Sequence, residues 1–123
     1  MMAITSIDII RGFDFDKVES RISLSMFLEG MWDKLSADDK YEIVEILWDG
    51  FNAFIAPHRD YLAGLGLPSD EIKVRIDAVA PGIDEIAATK AIKWDVPEPV
   101  LRTTAGRVVN VLVKSYRIKG INA

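Results

Sequence analysis

Five prolines set the limits of this fold. They stand at 57, 68, 81, 97 and 99, and none precedes Pro57. Proline lacks the backbone donor, and its ring clashes with the carbonyl four residues back. Each one therefore ends, kinks or opens a helix. Gly64, Gly66 and Gly82 reinforce the breaks. The chain is cut into segments of helical length, with one long uninterrupted stretch in front of them.

The apolar periodicity of each segment tests that division. Over residues 16–35, Leu24, Phe27, Leu28, Met31, Trp32 and Leu35 share a face at about 100° per residue. Glu19, Ser23, Asp33 and Lys34 lie opposite, so the stretch predicts a first long helix. Ser36 follows at once as a candidate N-cap, with Asp38 and Asp39 at the positive end of the next helix. So short a join predicts an antiparallel helical hairpin. In the second helix, from Ala37 to about Ala56, Ile43, Val44, Leu47, Trp48, Phe51, Phe54 and Ile55 fall within an arc of about 140°. Glu42, Glu45, Asp49 and Asn52 take the other side. Pro57 should end or kink this helix. Residues 58–66 then read as a short helix stopped by Gly64 and Gly66.

Ser69 or Asp70 caps a third amphipathic helix running to Ala80, with Ile72, Ile76 and Val79 inward. Pro81-Gly82 breaks it, and residues 83–94 predict a further helix with a face of small residues. The last helix runs from about Glu98 to Ile118, with Pro99 in its first turn. Val100, Leu101, Ala105, Val108, Val109, Val111, Leu112 and Tyr116 take one half of its wheel. Arg102, Arg107, Asn110, Lys114 and Arg117 take the other. The β-branched run VVNVLV leaves a strand over 108–113 as the alternative.

Residues 3–15 fit no such helix, yet Ile4, Ile7, Ile9, Ile10, Phe13 and Phe15 are too apolar for a solvated tail. They predict a short strand or extended arm docked on its own domain or on a second subunit. Ile7, Ile9, Ile10 and Phe13 are its candidate interface residues. The sequence thus predicts a single-domain, all-α bundle of four to five helices over 16–123, with an apolar N-terminal arm over 1–15.

Composition narrows the function classes. Half of the 123 residues are hydrophobic and the mean hydropathy is +0.14. That is rich beside the apolar share of about 45–50% usual for soluble domains, which also counts glycine. A large core, a subunit interface or a ligand cavity must take up the excess. With no cysteine, disulfides, thiolate metal sites and cysteine nucleophiles are excluded. No signal peptide is evident, and no apolar run approaches the roughly 20 residues that span a bilayer. A cytoplasmic protein without a membrane partner is expected.

The net charge of −4 hides an asymmetry. Residues 100–123 hold five bases and no acid, which leaves ten bases against nineteen acids in 1–99, a balance of −9. Such segregation favours contact with an acidic protein partner or a head-to-tail contact with another copy. On the basic face, Arg107, Lys114 and Arg117 can neutralise phosphates and Asn110 can read adenine. Nucleic acid is therefore the alternative partner, disfavoured by the acidic remainder of the chain.

Motifs for chemistry are sparse. The only histidine, His58, lies just after Pro57 beside Trp48 and Phe51, which makes these three the candidate lining of a small-molecule pocket. The triplet His58-Arg59-Asp60 spells a kinase catalytic-loop signature without any of its companions, and it reads as chance. Glu42, Glu45 and Asp49 have the spacing of hard-cation ligands, but they oppose the apolar face and lack histidine companions. No metal or cofactor is expected. Phosphate-binding glycine loops and the serine-hydrolase elbow are absent from the sequence. The expectation is a non-enzymatic interaction module of assembly, adaptor or inhibitor type. It would bind another protein or its own copies as a homo-oligomer.

Overall fold

The computed structural model describes the backbone of residues 6–15, 17–92 and 96–122, and the side chains of 8–15, 17, 19–91 and 96–115. Among these residues there are six α-helices and no strand. They are α1 (Ser6–Arg11), α2 (Val18–Met31), α3 (Ala37–Gly64), α4 (Ser69–Val79), α5 (Ile83–Ile92) and α6 (Glu98–Asn122). A single 3-10 turn, Trp32–Lys34, closes α2. The all-α class is as the sequence predicts, but the described helices number six and not four to five, because residues 6–11 form a helix of their own, and several boundaries differ.

α3 and α6 are the two long rods, at 28 and 25 residues. Their mutual packing is the most extensive in the molecule, and α6 also packs against α2, α4 and α5. α2 runs antiparallel to α3. Arg21 of α2 meets Phe54 at one end, and Trp32 and Lys40 meet around Glu98 at the other. The core consists of Leu24, Leu28 and Trp32 from α2 and its closing turn, of Ile43, Leu47, Phe51 and Ile55 from α3, and of Leu101, Ala105, Val108, Val109 and Leu112 from α6. Residues 108–113 are helical. Burial of Val108, Val109, Val111 and Leu112 along one side of α6 overrides the weak local preference of valine for a strand.

Pro57 neither ends nor splits the second helix. It lies inside α3, exposed, and residues 58–64 continue the same helix. An interior proline costs a helix about 3 kcal/mol or more. Phe54, Ile55 and Leu62 are buried on both sides of it, and each large apolar side chain contributes about 1.5–3 kcal/mol on burial. Tertiary packing therefore carries the helix through the break. The true stop lies at Gly66, whose φ of +75° is the left-handed conformation that glycine adopts without strain. Ser36 caps α3 as expected, its hydroxyl accepting from the Asp39 N–H at 3.2 Å. Neither Ser69 nor Asp70 caps α4. Pro68 holds that position, and Ser69 is already in the first turn.

The N-terminal segment is not a strand or an extended arm where it is described. Ser6–Arg11 forms α1, with Asp8 in the first turn and Arg11 in the last, matching the helix dipole at both ends. α1 packs on α3, and Arg11 pairs with Glu42. Ile10 is fully buried, Ile9 is 39% exposed, and Phe13 is half-buried with its ring 6.5 Å from that of Phe27. Ile7 lies in α1, but its side chain is outside the described residues. A glycine made this docking possible: a Cβ on Gly50 would lie 3.1 Å from the Phe15 ring. The bare backbone of α3 is thus the seat for Phe15.

Candidate functional site

The polar face of α6 is a ridge between two grooves. On one side α6 meets α2, leaving a cavity of about 450 Å³. Its floor is the buried apolar set Leu28, Trp32, Ala105 and Val109. Ser25, Glu29, Arg102 and Asn110 form its rim, and Gly106 keeps the α6 wall low. One step further round α2 stand Ile22 and Met26, 43% and 69% exposed. These two apolar side chains on adjacent turns lie off the buried stripe of their helix.

On the other side α6 meets α5. Two cavities of about 300 and 310 Å³ follow one another along this flank. Ile86, buried, lines both, with Val111 in the first and Thr104 in the second. Glu85 and Arg107 also line both and form an ion pair across the groove. Asn110 and Lys114 complete the first cavity, and the Pro81-Gly82 turn closes its end.

At its start α6 is tied to the rest of the bundle by one carboxylate. Glu98 accepts from the Trp32 indole N–H at 2.6 Å and from the Lys40 ammonium at 3.2 Å, and that ammonium lies 5.8 Å from the Trp32 ring centre. The indole hydrogen bond, followed by the lysine, lowers the Glu98 carboxyl below its usual range. Further along α6, Ser115, fully buried, donates to the Val79 carbonyl at 2.6 Å and joins α6 to α4.

The charges of the predicted basic face are partly engaged. Arg102 pairs with Asp33 and Arg107 with Glu85, while Asn110 and Lys114 are exposed. Arg117 lies in α6, but its side chain is outside the described residues. The acidic stripe of α3 is engaged as well. Glu42 holds Arg11 of α1, and Glu45 holds Lys90 of α5 at 2.8 Å. Those carboxylates fasten neighbouring helices, and among the described residues no group of acids and histidine is arranged for a metal ion.

The histidine and its aromatic neighbours are drawn into the packing of α3. Phe51 is fully buried in the core, and its ring is 5.8 Å from that of the half-buried Trp48. His58 is half-buried, between Ile55 and Leu62 on the same stripe. None of the cavities along α6 is lined by these three residues.

Two features escaped the sequence reading. Arg21 is fully buried, donates through Nη1 to the Phe15 carbonyl, and lies 5.0 Å from the Phe54 ring centre. Its position three residues before Leu24 and seven before Leu28 places it on the apolar face, which was the available signal. Ile22 and Met26 carried the converse signal, as large apolar side chains off that face. Among the described residues, no helix is long and apolar enough to cross a membrane. Comparison with protein-family models, with curated proteins and with solved structures finds no match.

Proposed function

We propose that the protein acts by binding, as an assembly or adaptor module that associates with copies of itself through α2. One observation supports this reading: α2 exposes two large apolar side chains and also contributes the buried floor of a groove where it meets α6. Ile22 and Met26 form an apolar ridge, and Leu28 and Trp32 floor the groove. Two copies related by a two-fold axis, with their α2 helices antiparallel, set each ridge toward the other's groove. Such self-complementarity is what an isologous interface requires. It also gives the excess apolar content a use that a monomer lacks. Nucleic-acid binding through α6 is less well supported, because the −9 balance of residues 1–99 opposes the approach of a polyanion. A pocket at Trp48, Phe51 and His58 likewise gains no support from the packing of α3.

Light scattering across a concentration series, at low and at high salt, tests the reading. A dimer that persists in high salt and dissociates in the double variant I22K/M26K, with helicity unchanged by circular dichroism, is the expected result. A monomer at every concentration sinks it.

A further inference from the structure

We infer that the α5/α6 groove receives an acidic amphipathic helix from a partner protein, with the partner's carboxylate taking the place that Glu85 holds on Arg107. The inference rests on the reading of the protein as an interaction module and adds a second surface, with the chemistry of its occupant.

Charge complementarity selects that occupant. Two bases, Arg107 and Lys114, line the groove against one acid, Glu85. Lys114 is exposed and has no ion pair among the described residues. The Glu85–Arg107 pair is itself solvent-exposed, with side chains 62% and 44% accessible. Exposed pairs of this kind contribute little to stability and exchange easily with an incoming anion. Glu85 therefore acts as a placeholder, keeping the guanidinium over the groove while the groove is empty.

Shape selects the form of the occupant. Each of the two cavities, about 300 and 310 Å³, is large enough for a bulky apolar side chain. The α6 residues Thr103 and Val111, one in each cavity, are separated by about 12 Å of helix rise. The ion pair sits between them. A docked helix matches this layout with apolar residues at positions i and i+7 and an acid at i+4, the anchor spacing of helix-in-groove recognition. A helix presents these three groups on one continuous face, and a polyanion lacks the apolar anchors.

The test uses a fluorescein-labelled, alanine-based helical peptide carrying Leu at i, Glu at i+4 and Leu at i+7, titrated with the full chain and read by anisotropy. Saturable binding is expected, weakened at least about tenfold by R107E and by a peptide with Lys at i+4. E85Q should tighten binding, by up to about fivefold, because it removes the internal competitor. This sign separates a displaced placeholder from a merely structural ion pair. Circular dichroism of both variants establishes that they fold. Equal binding of the Lys peptide, or no change in E85Q, overturns the inference. So does tighter, Arg107-dependent binding of a labelled DNA duplex. If self-association is salt-labile and lost in R107E, the occupant is a second copy and the inference also fails. The α2 reading is judged separately. A dimer that survives high salt without peptide binding keeps that reading and removes this one. Peptide binding by a strict monomer does the reverse.

Discussion

The two flanks of α6 share one helix and differ in what holds them. On the α2 side the wall is hydrophobic: Leu28, Trp32, Ala105 and Val109 are all nearly inaccessible, with Ile22 and Met26 projecting beside them. On the α5 side α6 packs less extensively, over a buried floor of Ile86, Thr104 and Val111, and an exposed ion pair bridges the gap as Arg102–Asp33 does on the other flank. Burial stabilises in proportion to area removed from water, whereas an exposed ion pair is screened and nearly neutral. The α2 flank should therefore carry stability, and the α5 flank should be free to change its contacts. One helix can thus be anchored along one edge and adaptable along the other.

The largest expected effect lies on the anchored side. Trp32→Ala removes a nearly buried indole and should cost about 3–5 kcal/mol in urea denaturation. A loss below about 1 kcal/mol would mean that this flank is not an anchor. Arg21→Ala comes next, because it opens a buried cavity and leaves the Phe15 carbonyl without its donor. A loss of about 2–4 kcal/mol is expected, with Arg21→Met recovering part of it by refilling the volume. A smaller effect of opposite sign is expected at Gly106. A Cβ there meets open space in mid-helix, so Gly106→Ala should stabilise by up to about 1 kcal/mol. On the adaptable side, Glu85→Gln should change the denaturation midpoint by no more than about 1 kcal/mol equivalent. A larger loss would erase the distinction between the flanks.

The last prediction concerns pH. The Glu98 carboxyl is lowered in the folded state, so its contribution is fully present above the unfolded carboxyl range and is lost as pH falls through the lowered value. Trp32→Phe removes the largest cause of the shift. Its stability deficit relative to the wild type should shrink as the pH drops below the ordinary carboxylate range. A deficit that stays constant from neutral to acid pH would show that the indole–carboxylate bond has no part in the acid sensitivity.

Most of the architecture is legible in the sequence. The stripes Ile43–Leu47–Phe51 and Leu101–Val108–Leu112 repeat at helical spacing over several turns, and long amphipathic signals of that kind survive into the fold. The Ser36 cap and the Gly66 stop were equally local. What the sequence hid was decided at a distance. Pro57 looked like a boundary because its cost is local, while the burial of Ile55 and Leu62 that outweighs it is tertiary. Ser6–Arg11 looked extended because six residues are too few to show a period. In the site, Arg107, Asn110 and Lys114 were legible as one face of one helix. That Arg107 meets Glu85 and Arg102 meets Asp33 was not, since each pair joins helices that no local pattern connects.

The position of α6 also governs how this chain must be made. It packs on α2, α3, α4 and α5, and Glu98 reaches partners 66 and 58 residues earlier in the chain. At a synthesis rate of about 5–20 residues per second, the 25 residues of α6 take about 1–5 s to emerge from the ribosome. During that interval the inward faces of α2 and α3, Phe51 among them, lack the cover that α6 supplies. α6 thus completes the core, and the helices before it expose apolar surface until it packs.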